Sequence, residues 1–142
     1  MESLFPALVP LNSETQAAAG MDRVPLSRIP FRVGRESRYG VVGGKIASME
    51  RRETSVAPNN DLYLRDQAEF LNVSREHFQI ERVHEGAYEV VDRGSTCGTS
   101  VDGVSLGVGL PAMRCRLREG SVILVGSAET PFQFRFTLTA TL

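Results

Sequence analysis

Apolar and polar residues alternate most cleanly near the C-terminal end of the chain. There Phe132, Phe134, Phe136 and Leu138 interleave with Gln133, Arg135, Thr137 and Thr139. A period of two predicts a β-strand with one buried face. Shorter stretches repeat the pattern. Ile29, Phe31 and Val33 alternate with Pro30 and Arg32, Leu62 and Leu64 flank Tyr63, and Phe78 and Ile80 lie among His77, Gln79 and Glu81. Cys115 and Leu117 sit among Arg114, Arg116 and Arg118, and residues 121–125 form an apolar run after the turn at Glu119-Gly120. Residues 4–11 predict a first strand. Pro6 and Pro10 place it at a sheet edge, because proline has no N–H to give to a neighbouring strand.

Turn signals separate these runs, at Gly34, Gly86, Gly94, Gly98, Asp102-Gly103 and Gly126. Many short strands at about ten-residue spacing, with almost no helical periodicity, predict an all-β fold, a β-sandwich. Residues 36–59 break the rhythm, being rich in Gly, Ser and charge. Within them 47–53 has the composition of a short helical turn. A long irregular segment in a compact domain usually carries function or mobility.

A chain of 142 residues with 42% hydrophobic content buries roughly two-thirds of its unfolded surface without needing a covalent staple. Sixteen basic residues face 17 acidic ones. That balance argues against a disordered polyelectrolyte and against a nucleic-acid binder, which usually shows a large basic excess. The basic set is fifteen Arg and one Lys, Lys45. Arginine suits bidentate recognition of carboxylate and phosphate, although a genome's base composition produces the same bias. Two cysteines, Cys97 and Cys115, are too few for a disulfide scaffold and lack zinc-site spacing. No apolar run reaches the roughly 18 residues of a membrane helix. The small-residue run 17–19 lacks the charged start and apolar core of a secretion signal. These features predict a cytoplasmic protein with free thiols, in which Asn72-Val73-Ser74 is a chance glycosylation sequon.

Enzyme signals are weak. Gly43-Gly44-Lys45 does not complete a phosphate loop: Tyr39 stands where its first glycine belongs, and Ile46 replaces the magnesium-binding Ser or Thr. Gly94-Ser95-Thr96-Cys97-Gly98 has the wrong spacing for a nucleophile elbow. Cys97 with His77 is a formal thiol–base pair, but a small turn residue near a structural histidine is the simpler reading. His84, beside Glu85-Gly86, reads as a solvated turn residue.

What remains is a set of polar and glycine residues at strand ends. Gly34-Arg35 closes one strand, and Val73-Ser74-Arg75-Glu76-His77 enters another. Asp92-Arg93-Gly94-Ser95-Thr96-Cys97-Gly98-Thr99 links two more, ahead of a hairpin at Asp102-Gly103. Loops at one end of a sandwich converge. Together these offer guanidinium forks, hydroxyls and backbone N–H groups, with no metal ligands and no obvious general base. That inventory suits holding an anion rather than transforming a substrate.

The succession Gly34-Arg35, Ser74-x-x-His77, Asp92-x-Gly94-Ser95-Thr96-x-Gly98-Thr99 and x-Gly103 resembles a forkhead-associated (FHA) domain. The later Leu117-x-x-Gly120-x-x-Ile123-x-x-Gly126 is similar to the same family's closing pattern. The resemblance covers the chain from about Leu4 to Leu138. It implies an FHA/SMAD-like sandwich of about eleven strands, formed by one domain over 4–139, whose loops at one end bind phosphothreonine peptides. It makes the N-terminal stretch the first strand and not a leader. Of the residues here, it assigns Arg35 and Ser74 to the phosphate and Arg75 to their support. Ser95, Thr96 and Cys97 would adjoin the peptide. Gly34, His77, Gly98, Thr99 and Gly103 would shape and brace the loops, His77 with no catalytic part.

Three departures stand out. Cys97 replaces the family's usual Asn, whose amide pins the bound peptide's backbone, and a thiol is a poor hydrogen-bonding substitute. Asp102 replaces the usual Asn before the hairpin glycine and suits that turn equally. The interval from Arg35 to Ser74 is about twenty residues longer than usual, which marks 37–59 as an insertion after the third strand. Arg38, Arg51 and Arg52 would let it enlarge or gate the neighbouring surface; a solvated loop is the plainer alternative. The expected function is a non-enzymatic module, without cofactor or metal. It would bind a phosphothreonine-containing protein, a serine/threonine kinase or its substrate, and neither nucleic acid nor membrane. A phosphate-independent interaction domain of the same fold is the alternative that Cys97 raises, and a thiol hydrolase is a distant third.

Overall fold

The computed structural model describes residues 4–36, 39–42, 45–48, 59–67 and 70–140, and within 39–48 the backbone only. Its strands are β1 (Phe5–Pro10), β2 (Val24–Pro25), β3 (Phe31–Arg35), β4 (Tyr39–Val42), β5 (Lys45–Ser48), β6 (Leu62–Leu64) and β7 (Phe78–His84). They continue with β8 (Ala87–Asp92), β9 (Thr99–Val101), β10 (Val104–Leu106), β11 (Arg114–Leu117), β12 (Val122–Val125) and β13 (Gln133–Thr139). One helix, α1 (Ser13–Ala19), lies between β1 and β2.

Eleven strands form two sheets, ordered β10-β9-β12-β13-β1-β2 and β11-β8-β7-β3-β6, and β4 pairs with β5 as a separate hairpin. The sandwich is the one the alternation predicted. On β13, Phe134 and Phe136 are fully buried, while Arg135 between them is exposed. Phe78 and Ile80 of β7 and Ile123 and Val125 of β12 do the same from their own strands. All belong to one apolar cluster that also takes in Leu8, Val33, Leu64 and Val90.

Three expectations need correction. β1 is not an edge strand: it pairs with β13 over its whole length and with the two-residue β2 on the other side, through Ala7↔Pro25 and Leu8↔Val24. Residues 13–19 form a helix where the alternation suggested none. Asn12 caps its start by accepting the N–H of Thr15 at 2.7 Å, and Gly20 ends it in the left-handed region at φ 81°. Both are standard helix caps. Thr15 then ties the helix to the start of β13: its hydroxyl donates to the Pro131 carbonyl and accepts the Gln133 N–H, each at 2.9 Å. Third, Ala47 and Ser48 belong to β5 rather than to a helical turn. The rest of that turn, and most of the 37–59 insertion with Arg38, Arg51 and Arg52, lies outside the described residues.

Topology sets up the site. β3 runs parallel to β6 and antiparallel to β7, so its C-terminal residue Arg35 emerges beside the segment that leads into β7. Gly34 is required there. A Cβ on it would lie 1.9 Å from the Arg75 carbonyl oxygen and 2.6 Å from Asn60 Nδ2, so only glycine lets the two backbones approach.

Candidate functional site

Arg35 and Ser74, thirty-nine residues apart in the chain, are direct neighbours: the Arg35 N–H donates to the Ser74 carbonyl at 2.8 Å. The Arg35 side chain is half-buried. Its Nε donates to the Val73 carbonyl at 2.9 Å, and the two terminal nitrogens have no partner among the described residues. The guanidinium is therefore aimed by one bond and has its fork free. The Ser74 Oγ accepts the Thr96 N–H at 2.9 Å. Its own proton thus remains available to donate outward. Thr96 is exposed, as is the Arg75 side chain, which has no partner among the described residues.

His77 locks these loops to one another. Its ring is wholly buried. Nδ1 accepts the Ser74 N–H at 2.9 Å, so the ring proton sits on Nε2 and is donated to the Gly98 carbonyl at 2.7 Å. Burial lowers its pKa below the ordinary 6.5, against the opposing pull of the Gly98 carbonyl and the Asp92 charge. A neutral ring with both nitrogens committed has no lone pair for Cys97. The thiol itself points elsewhere, to the Leu71 carbonyl at 3.4 Å.

The link from β8 to β9 is organised by Asp92. Its buried carboxylate accepts the N–H groups of Gly94 and Ser95, both at 2.9 Å, and the hydroxyls of Ser95 and Thr99 at 2.6 and 2.8 Å. Ser95 also accepts the Gly98 N–H at 3.0 Å. This moves Ser95 from the expected peptide-facing set to the bracing set, because it is buried and its hydroxyl proton is committed to Asp92. Gly98, at φ 82°, makes the turn that lets its carbonyl meet both His77 and the Gly126 N–H. Gly103, at φ 85°, sits in the β9–β10 hairpin after Asp102 at φ 49°. The Asp102 carboxylate there accepts the Ser121 hydroxyl and the Val122 N–H.

Several contributors carry no local signal in the sequence. Asn60 donates to the Arg75 carbonyl at 2.7 Å and accepts from Arg93 at 2.6 Å, and Arg93 also bonds Glu76 at 2.9 Å. Asp66 takes the N–H groups of Asn72 and Val73 at 2.6 and 3.0 Å, fixing the approach to Ser74. Beyond Cys97 the rim runs into a cleft of about 370 Å³ walled by Leu106, Leu110, Leu124 and Ser127. Among the described residues no cluster of His, Cys, Asp and Glu has the grouping of a metal site, and no helix is long and apolar enough to cross a membrane.

The arrangement is thus a polar rim at one end of a two-sheet sandwich, with unclaimed cationic and hydroxyl donors and its histidine used as a strut. The family model described as FHA domain matches residues 31–126, about two-thirds of the sequence, and the chain belongs to that family. Solved structures share its fold. The FHA domain of Chlamydia trachomatis CT664 is 17% identical, with a TM-score of 0.56 over 97% of this chain and 99% of that one. The yeast splicing factor Pml1 is 19% identical, at a TM-score of 0.61 over 97% and 82%. Mycobacterium tuberculosis EmbR is 20% identical, at a TM-score of 0.59; the match covers 97% of this chain and only 25% of EmbR. No curated protein sequence matches.

Proposed function

We propose that the chain is a phosphothreonine-peptide-binding module that recognises a partner phosphorylated by a serine/threonine kinase. The observation that carries this reading is the pairing of Arg35 with Ser74: a guanidinium tethered among the described residues through Nε alone, beside a hydroxyl that accepts the Thr96 N–H and keeps its proton to donate. A phosphate presents nearly two negative charges and three strong acceptor oxygens. The Arg35 fork and the Ser74 proton match that geometry, and Arg75 adds unpaired positive charge next to them. Charge-assisted bonds contribute about 1.5–3 kcal/mol each. Two or three of them, less the entropy of ordering a peptide, give affinities of roughly micromolar or weaker. Support also comes from fold relatives. The EmbR structure holds a low-affinity phosphopeptide, and another relative, 17% identical, belongs to work on phosphothreonine-dependent FHA domain interactions.

The test is titration of wild-type protein and Arg35→Ala against a phosphothreonine-oriented peptide library. Loss of two charge-assisted bonds lowers affinity at least about 100-fold, with the fold unchanged by circular dichroism. If the two proteins bind alike, the site is misassigned. The phosphate-independent reading draws on Cys97, whose thiol is already used on Leu71 and offers a ligand no donor. Partner capture that survives phosphatase treatment would favour it.

A further inference from the structure

Beside Ser74 the rim carries a side-chain amide whose donors are unclaimed. Asn72 is half-buried two residues before Ser74, with the buried Val73 between them. Its position is fixed from three sides. Its N–H is held by Asp66 at 2.6 Å. Its Cβ packs over Gly126, where an added Cβ would come within 2.8 Å of it. The Ser127 hydroxyl donates to its Oδ1 at 3.3 Å. The amide NH₂ then has no partner among the described residues, and Oδ1 keeps a second lone pair. The Cys97 thiol bonds the carbonyl of Leu71, the residue next to Asn72, at 3.4 Å.

We infer that Asn72 grips the main chain of the bound peptide, supplying from the segment that leads into Ser74 the carboxamide that position 97 lacks. A planar amide offers a donor and an acceptor side by side, as a peptide group does, so one Asn satisfies an N–H and a C=O together. In this chain the residues at 97 and 72 divide the work: the thiol fastens two loops, and the amide meets the ligand. The inference rests on the phosphothreonine reading.

The experiment uses wild type, Asn72→Ala and Asn72→Ala/Cys97→Asn with two probes, a library-selected phosphothreonine peptide and free O-phosphothreonine followed by NMR. Alanine keeps the Cβ that packs on Gly126. Losing one or two bonds weakens peptide binding about tenfold in Asn72→Ala, while free phosphothreonine binds within about twofold of wild type, since that probe has no flanking main chain for the amide to hold. Restoring an amide at 97 recovers part of the loss. Unchanged peptide affinity, equal loss of both probes, or no recovery in the double variant overturns the assignment while the phosphothreonine reading stands. Wild-type protein that binds neither probe overturns the phosphothreonine reading, and the assignment with it.

Discussion

Replacing His77 with alanine tests the claim that the rim is held by one buried ring. The substitution strands the Ser74 N–H, which the imidazole accepts at 2.9 Å, and takes from the Gly98 carbonyl the ring N–H at 2.7 Å, leaving it the Gly126 N–H alone. The orphaned N–H costs about 1–3 kcal/mol, and the bond lost from the carbonyl about 1 kcal/mol. The edge-to-face contact with Phe78, centroids 6.3 Å apart, is lost as well and adds about 1 kcal/mol. The sum, about 3–5 kcal/mol, is a large share of the 5–15 kcal/mol typical of a domain. In a chain of this size it corresponds to a melting point lower by roughly 10–20 °C. Affinity for a phosphothreonine peptide should fall too, even where the variant remains folded, because the Ser74 and Thr96–Gly98 segments lose their common anchor. The ring also predicts a pH response. Burial depresses its pKa, so the unfolded chain takes up the proton first as pH drops. The stability that the neutral ring contributes is complete above about pH 6.5. It declines below that value until the folded ring itself protonates. Thermal melts by circular dichroism from pH 7.5 to 5, paired with fluorescence-polarisation titrations, measure both effects. A variant that melts within about 3 °C of wild type, near the cost of a single kcal/mol, and still binds peptide would refute the bracing argument.

Two further substitutions separate ligand contact from architecture. Ser74→Ala removes a hydroxyl proton that no described residue accepts and an acceptor for the exposed Thr96 N–H. Calorimetry should show phosphopeptide affinity reduced by about 10-fold or more, with stability changed by only about 1 kcal/mol; an unchanged affinity would remove Ser74 from the phosphate site. Gly34→Ala forces a methyl to within 1.9 Å of the Arg75 carbonyl, a clash with backbone that no rotamer relieves. The expected result is loss of cooperative melting and rapid proteolysis, and a stable Gly34→Ala protein would show that β3 and the Ser74 segment do not meet so closely.

The strands were legible because burial on one face writes itself as a period of two. Phe134 and Phe136 on β13 and Phe78 and Ile80 on β7 are the clearest cases. The helix was hidden because seven residues containing three alanines lay down no apolar stripe; only Asn12 and Gly20 mark its ends. β1 read as an edge because its prolines were visible, whereas a two-residue partner such as β2 leaves no pattern to find. At the rim, turn chemistry pointed to Arg35, Ser74 and the 92–99 link. The Ser95 hydroxyl, however, turns inward to Asp92, and sequence spacing does not distinguish an inward hydroxyl from an outward one. Asn60, Asp66 and Asn72 act across gaps in the chain that no local motif spans.

The pairing of β1 with β13 governs how such a module is mounted. Pro10 and Phe134 lie opposite each other towards the rim, and from there both strands run to Phe5 and Thr139. Six residue steps from Gln133 carry the chain roughly 20 Å away. Polypeptide joined at either end would therefore depart from the pole remote from Arg35 and Ser74, both connections on one side. Embedded in a longer chain, the sandwich would present the loops of Arg35 and Ser74 outward like a plug with both leads at the back, leaving them unobstructed by its own tethers.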